Sequence, residues 1–227
     1  MSHVDDIPGI EKRGLTKGRI EALADGIFAV AMTLLVLDIK SPTNHKFETA
    51  ADLLAYLVML EHSFAMYAIS FFVLAIFWIA HHLLFHFVRH ADRRLLWHNI
   101  AFLLLVTFVP FSTDLLGDQG HLLLPVLVYG VNLLALGSLL ALQVRYLITH
   151  PPLATADLTP FVVKQMWGDL RLYAAVPLAS MAVSMVSPRT GMYMYLLLAI
   201  PTLAPSRLDR IIFPGAGPRI DSSSESS

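Results

Sequence analysis

The stretch from Arg19 to Lys40 constrains this chain more than any other part of the sequence. It reads RIEALADGIFAVAMTLLVLDIK, and a helix of about 20 residues is long enough to cross the hydrocarbon core of a bilayer, about 30 Å thick. Asp25 lies inside this apolar run. A carboxylate within a membrane is unfavourable unless it meets a partner or water, so the sequence predicts a spanning helix with a special task for Asp25.

A helical projection separates two sides of this stretch. At about 100° per residue, one stripe about a third of the circumference wide contains Gly26, Val30, Thr33, Leu34 and Leu37. Val30 and Leu37 lie within about 20° of each other, with Leu34 about 40° to one side. Met32 points almost the opposite way, and Asp25 also falls outside the stripe. The pattern predicts a narrow, mostly apolar surface with one hydroxyl, and a buried polar contact with a neighbouring helix on the other side.

The composition is that of a polytopic membrane protein. Apolar residues make up 56% of the 227 residues and charged residues only 15%. The chain contains no Cys, which excludes disulfides, thiolate metal sites and cysteine nucleophiles. The formal net charge of −1 and the lack of a basic patch with interleaved aromatic residues argue against a nucleic-acid partner.

The hydropathy pattern predicts an all-α integral membrane protein with six transmembrane helices per subunit. A cytoplasmic N-terminal segment at residues 1–18 precedes a transmembrane domain at 19–206, and a largely disordered cytoplasmic tail follows at 207–227. The predicted spans are residues 19–40, 64–86, 95–113, 122–148, 172–186 and 191–204. Pro110 is expected to kink or end the third span. Residues 149–170 are expected to form the longest loop.

The distribution of Lys and Arg predicts the orientation. With six spans both termini lie on one side of the membrane, and that side receives all of the 16 Lys and Arg residues except Lys40, Lys46 and Arg189. Cytoplasmic loops are enriched in Lys and Arg. We therefore expect a multi-pass protein of the plasma membrane with both termini in the cytoplasm.

Three motifs in the first half of the chain resemble a known channel family. They are R-x-x-x-L-A-D from Arg19, Y-x-x-S-F with F-W-x-x-H-H-x-L-F between Tyr67 and Phe85, and D-x-x-x-L-W-x-N with P-F-x-T-x-L-L-G between Asp92 and Gly117. Together they resemble the lysosomal potassium channel family called transmembrane protein 175, in its bacterial single-repeat form. The chain departs from the family pattern at three positions, Leu23, Ala24 and His98.

The resemblance implies a homotetrameric, potassium-preferring cation channel whose first helices line a central pore. At the matching positions, Val30, Leu34 and Leu37 would form an apolar constriction and Thr33 would supply a hydroxyl to the pore. The implied partners are the other subunits, monovalent cations and the lipid bilayer. The permeant K⁺ needs no cofactor, no metal site is implied, and an enzyme is not expected. No Thr-Val-Gly-Tyr-Gly loop occurs, so selectivity has to come from side chains and should be modest.

The resemblance also implies a structural polar network. Its members in this sequence are Arg19, Asp25, His81, His82 and Asn99. Buried polar groups of this kind need satisfied partners, which would hold the first helix against the second and third. Arg19 could alternatively extend to the membrane surface. Asp38 could concentrate cations at a pore mouth, or pair with Lys40 at a solvated helix end.

Two other classes of function stay open at this level. His82, His86 and His90 are spaced four residues apart, which is compatible with metal ligation on one helical face and hence with a metal-dependent membrane enzyme. No Glu-x-x-His motif accompanies them. The fourth span is interrupted by Gly and Pro, as in secondary transporters, but no internal repeat is evident. The apolar stripe could also simply pack or face lipid.

Overall fold

The computed structural model describes residues 16–39 and 47–198, and this part of the chain is built from α-helices. They are α1 (Lys17–Leu34), α2 (Ala50–Met59), α3 (Glu61–His86), α4 (Arg93–Gln119), α5 (Leu123–Thr149), α6 (Pro160–Ser184) and α7 (Pro188–Met194). Short 3₁₀ segments follow at Leu35–Asp38, Pro151–Leu153 and Tyr195–Leu198. An isolated β-bridge joins Val88 to Ala154. The predicted all-α class is confirmed.

The fourth helix organises the packing. It contacts α1, α3 and α5, while α6 packs on α5 and α7 packs on α6. Aromatic rings fill the space among the first three long helices, because the ring centroid of Phe102 lies 6.0 Å from that of Phe28 and 6.5 Å from that of Phe77. All three rings are buried. The first helix is thus supported on one side by α3 and α4.

Four helical segments of the described chain are long and apolar enough to cross a membrane. They are Lys17–Asp38, Ser63–His86, Arg93–Gln119 and Leu123–Thr149. These segments coincide with the first four predicted spans, with ends that shift by a few residues. The sixth predicted span, residues 191–204, is described only as far as residue 198. The tail at 207–227, residues 1–15 and the segment 40–46 lie outside the described residues.

Pro110 neither ends nor interrupts α4, which continues to Gln119. The expected end near residue 113 was therefore wrong. Buried residues continue on both sides of the proline, at Val106, Val109 and Leu116. Packing against neighbouring helices offsets the missing amide hydrogen of proline, which membrane helices tolerate better than helices in water.

The predicted loop at 149–170 is also wrong in its second half. Helix α6 begins at Pro160, twelve residues before the predicted fifth span. The Thr159 hydroxyl accepts a hydrogen bond from the Val162 N–H at 3.4 Å, and proline suits the first helical position because its missing N–H would be unpaired there anyway. The exposed Lys164 and Arg171 lie on this early part of α6. Its most apolar part begins only after them.

Candidate functional site

The first helix has one buried and one exposed face. The buried residues are Ile20, Ala24, Phe28, Ala31 and Leu35. They follow the three- and four-residue spacing of a single helical face and point into the contacts with α3 and α4. Among the described residues, no other element covers the opposite face of α1, which we call the uncovered face.

The predicted apolar stripe lies on this uncovered face. Val30, Leu34 and Leu37 are 57%, 43% and 70% exposed, respectively, and Thr33 and Gly26 are exposed beside them. A groove of about 370 Å³ runs along the same face and reaches Thr107 of α4. The structure thus brings the predicted stripe residues together on a surface that the described part of the chain leaves unpartnered.

Thr33 uses its hydroxyl hydrogen within α1. Its Oγ1 lies 3.0 Å from the Ala29 carbonyl oxygen and 2.9 Å from the Val30 carbonyl oxygen, in a shared bond to the preceding turn. The hydroxyl oxygen keeps its lone pairs as acceptors. An exposed oxygen of this kind can take the place of a water molecule around a cation.

The outer end of the stripe is wound more tightly than an α-helix. Leu35–Asp38 forms a 3₁₀ segment, in which residues three apart lie in line. Leu37 is therefore aligned more closely with Leu34 than with Val30, unlike in the ideal α-helical projection. Asp38 follows the direction of Leu35, which is fully buried.

Asp38 lies at a small cavity on the protein side of this segment. The cavity, about 20 Å³ in volume, is also lined by Ser63, Tyr67 and Asp114. That volume suffices for about one water molecule. Lys40 lies outside the described residues. The role of Asp38 at a pore mouth stays a prediction.

Asp25 contacts a residue that the sequence analysis missed. The indole Nε1–H of Trp78 on α3 donates to Asp25 Oδ1 at 2.8 Å. Trp78 lies one helical turn before His82, and the two ring centroids are 5.9 Å apart. The motif F-W-x-x-H-H carried this signal, because residues four apart share a face of a helix. The carboxylate is exposed at the edge of the uncovered face, next to α3.

His81 and Asn99 form a separate buried pair. Nε2–H of His81 donates to Asn99 Oδ1 at 2.7 Å, and the two residues are 2% and 0% exposed. The imidazole stacks on Phe85 at 4.4 Å and on Phe102 at 5.5 Å between ring centroids. Phe28 of α1 lies 6.3 Å from the same imidazole. The expected single network is thus two neighbouring pairs, one at Asp25 and one at His81.

Arg19, His86 and His90 lie outside these two pairs. Arg19 is exposed near the start of α1 and, within the part of the chain that the structure describes, forms no ion pair, whereas Lys17 lies 3.7 Å from Glu21. Helix α3 ends at His86, so His90 does not continue the helical face of His82 and His86. The proposed histidine face of a metal enzyme is therefore interrupted.

A further polar cluster, also missed, connects α3, α4 and α5. Oγ1 of Thr113 lies 2.8 Å from Oγ of Ser70, which lies 3.1 Å from the hydroxyl of Tyr129. One turn away, Nδ2 of Asn132 donates to Oγ of Ser112 at 3.3 Å. All five side chains are buried. These bonds pair polar side chains across the three helices and help to fix their relative positions.

Comparison with known proteins gives a consistent answer. A family model described as "Endosomal/lysosomal potassium channel TMEM175" matches residues 19–110. A potassium channel from Chamaesiphon minutus is 39% identical over 140 residues, covering 62% of this chain and 67% of the relative. A potassium channel from Streptomyces collinus is 42% identical over 101 residues, covering 44% of this chain and 48% of the relative. The chain thus spans only about half of the second relative.

The fold agrees with these matches. The crystal structure of a TMEM175 homolog from Chamaesiphon minutus, described as a lysosomal potassium-selective channel, superposes with a TM-score of 0.71 and 31% identity. The superposition covers 82% of this chain and 96% of that chain. By the family model, by sequence and by fold, this chain belongs to the TMEM175 family.

Proposed function

We propose that the chain forms a potassium-preferring cation channel of the plasma membrane, in which four copies surround a central pore lined by α1. The relatives named as potassium channels support the ion and the class of protein. They are not enzymes, and no chemical step is needed for the function. The arrangement rests on the uncovered face of α1, which is the single observation that carries the proposal.

The two faces of α1 support its position at the centre of an assembly. One face is packed on α3 and α4, while the other exposes Val30, Leu34 and Leu37. One helix cannot enclose a pore, but equivalent helices around a symmetry axis can. Symmetry then turns one apolar stripe into successive apolar rings along the axis.

The apolar rings would form the constriction. Leu34 and Leu37 are nearly aligned by the 3₁₀ segment, and Val30 lies about one turn before Leu34. Rings of Val and Leu side chains exclude water from a narrow passage and close it to ions unless the helices move apart. The exposed Thr33 oxygen would contact a partly dehydrated cation between these rings. Discrimination by a hydroxyl and by pore width should be moderate.

The Asp25–Trp78 and His81–Asn99 pairs would hold α1 at the correct angle to the axis. The first pair joins α1 to α3, and the second joins α3 to α4 beside Phe28 of α1. Without such contacts, lipid-facing apolar helices have little to fix their rotation about their own axes. We assign these residues a structural role. In this proposal Asp38 and Arg19 lie near the two ends of the pore-lining helix.

The division of the chain follows from the same arrangement. Residues 1–18 and 207–227 would be the cytoplasmic segments, and 19–206 the six-span domain. The apolar part of α6 would be the fifth span, and the segment beginning with α7 the sixth. Thirteen Lys and Arg residues would then face the cytoplasm, in agreement with the positive-inside rule.

Ion flux from the purified full chain in liposomes tests the proposal. We expect K⁺ flux that exceeds Na⁺ flux, does not saturate at millimolar concentration and requires no counter-substrate. The mass of the detergent-purified assembly should be four times that of the chain. Saturable flux with one dominant substrate would instead indicate a secondary transporter, and a monomer without flux would contradict both the pore and the assembly.

A further inference from the structure

A wide pocket lies at the end of the bundle where α4 begins and α5 ends. Its volume is about 780 Å³. Arg93 and Arg94 line it, and both are exposed. Trp97 lies one turn further along α4 and is 58% exposed. None of these residues belongs to the pore face or to the polar pairs that hold α1.

The two arginines carry unfavourably placed charge. They occupy the first two positions of α4, a helix of 27 residues, where the helix dipole and the unpaired N–H groups favour an anion. The first turn of α4 contains no acidic residue. Among residues 16–39 and 47–198, neither arginine forms an ion pair. Two guanidinium groups at the positive end of a helix therefore create a local field that attracts an anion.

The nearest carboxylate is already used by the protein. Oδ1 of Asp92 accepts the Leu95 N–H at 2.8 Å and caps α4, and Oδ2 accepts the Tyr146 hydroxyl at 2.5 Å. Burial raises the pKa of Asp92, but these hydrogen bonds together lower it by more, so the net pKa lies below its ordinary value. Asp92 stays ionised, but its single charge does not balance two guanidiniums.

The wall of the pocket also contains a histidine. His98 lines the pocket, and its buried Nδ1 has no hydrogen-bond partner among the described residues. Its imidazole stands at 89° to the ring of Tyr146, 5.4 Å away between centroids. His150 stacks on the other side of Tyr146 at 4.1 Å. A buried ring nitrogen without a partner is unfavourable, and a water molecule enclosed beside it would satisfy it.

The backbone around the pocket is held in place. The Arg89 N–H donates to the Leu153 carbonyl at 2.7 Å, and the Thr155 N–H donates to the Phe87 carbonyl at 2.9 Å. These bonds join the α3–α4 connection to the α5–α6 connection. The two connections that flank the pocket are thus held together.

We propose that this pocket binds the phosphate of an anionic lipid headgroup in the cytoplasmic leaflet. The inference rests on the orientation proposed above, in which this end of the bundle lies at the cytoplasmic surface, where anionic headgroups meet Arg and Lys side chains. Arg93 and Arg94 bind the phosphate oxygens, and Arg suits this because its donors match oxyanion geometry. The exposed indole of Trp97 lies at the depth of the glycerol region, as aromatic residues at membrane interfaces do.

Native mass spectrometry of the purified full-length assembly tests the proposal. The probes are phosphatidylglycerol and phosphatidylcholine of equal chain length. We expect selective retention of phosphatidylglycerol, and about 30-fold weaker retention in the Arg93→Gln/Arg94→Gln variant. The matched control, Arg89→Gln/Arg145→Gln, loses the same charge at the same end outside the pocket and should bind like the parent.

Three results would overturn this assignment. They are equal retention of the two lipids by the parent, an equal loss in both double variants, and displacement of the lipid by millimolar inorganic phosphate, which would indicate a soluble anion instead. A photoactivatable phosphatidylglycerol adds a measurement on the unaltered protein. Labelling of the peptide that contains Trp97 supports the pocket, and labelling confined to other peptides contradicts it.

Discussion

Trp78 donates its indole N–H to the Asp25 carboxylate at 2.8 Å, and this bond fastens α1 to α3 at the residue whose charge is least suited to a membrane. The bond gives the carboxylate a partner without placing it among the stripe residues. We therefore expect Asp25 to set the position of α1 instead of contacting a permeating ion.

Replacement of Asp25 by Ala should weaken assembly before it alters selectivity. The Trp78 N–H loses its acceptor, which typically costs about 1 to 3 kcal/mol where water is excluded. Asp25→Asn keeps an acceptor oxygen and should be milder, and Trp78→Phe should resemble Asp25→Ala. Size-exclusion profiles and thermal unfolding of the purified variants measure the effect. An Asp25→Ala variant that assembled normally but selected ions differently would place the carboxylate in the ion path.

Polar substitutions on the apolar stripe should open the constriction. Leu34→Asn or Leu37→Asn should raise cation flux and blunt discrimination, because a polar side chain keeps water in a narrow passage. Met32→Asn is the control, since Met32 is half-buried and packs on the core instead of facing outward. All three variants need equal reconstitution before K⁺ and Na⁺ flux are compared. Increased flux in Met32→Asn alone would show that the pore face was assigned incorrectly.

Removal of the Thr33 hydroxyl should lower the ratio of K⁺ to Na⁺ flux. Thr33→Val keeps the shape of the side chain but removes the exposed oxygen that would contact the ion. Thr33→Ser keeps the oxygen and should stay near the parent. The reversal potential of reconstituted protein under bi-ionic conditions measures the ratio. Equal ratios in the Val and Ser variants would exclude the hydroxyl from selection.

The Asp92 cap predicts a specific pH dependence. Its folded pKa lies below the ordinary value of about 3.9, so its stabilisation is complete above that value and is lost as the pH falls through the folded pKa. Tyr146→Phe removes one hydrogen bond to the carboxylate and should move acid destabilisation to higher pH. Tyr129→Phe is the control, because its buried hydroxyl bonds Ser70 and no carboxylate. Thermal unfolding between pH 3 and 7 distinguishes the two variants.

The orientation of the chain is open to direct measurement. Reporter fusions at both ends should be cytoplasmic, and a reporter inserted between α4 and α5 should face outside, given thirteen Lys and Arg residues on the inner side. A terminus detected outside would exclude the six-span arrangement.

The sequence pattern predicted the long helices well and their ends poorly. Apolar runs determine which residues can cross a membrane, but helix ends depend on capping and packing. Thr159 and Pro160 are a helix-start signal in the sequence. The polar residues that follow them nevertheless led to the prediction of a loop. At Pro110 the local preference was overridden by contacts with other helices, which a single chain segment cannot reveal.

The sequence predicted which face of α1 carries the candidate site, but not which side chains on neighbouring helices contact it. Helical periodicity assigns Val30 and Leu34 to a common side, because that property depends only on spacing. The pairing of Asp25 with Trp78 depends on how α1 and α3 lie against each other. The His81–Asn99 contact likewise depends on the register of α3 against α4. No pattern in the mostly apolar sequence of Leu35–Asp38 predicts its 3₁₀ winding.

The 3₁₀ segment Leu35–Asp38 couples the length of the outer end of α1 to its rotation. A 3₁₀ helix advances about 2.0 Å and turns about 120° per residue, whereas an α-helix advances about 1.5 Å and turns about 100°. Rewinding Leu35–Leu37 to α geometry would rotate Leu37 by about 60° relative to Leu34 and shorten the segment by about 1.5 Å. A change in the length of this segment along the helix axis is therefore coupled to a rotation of Leu37.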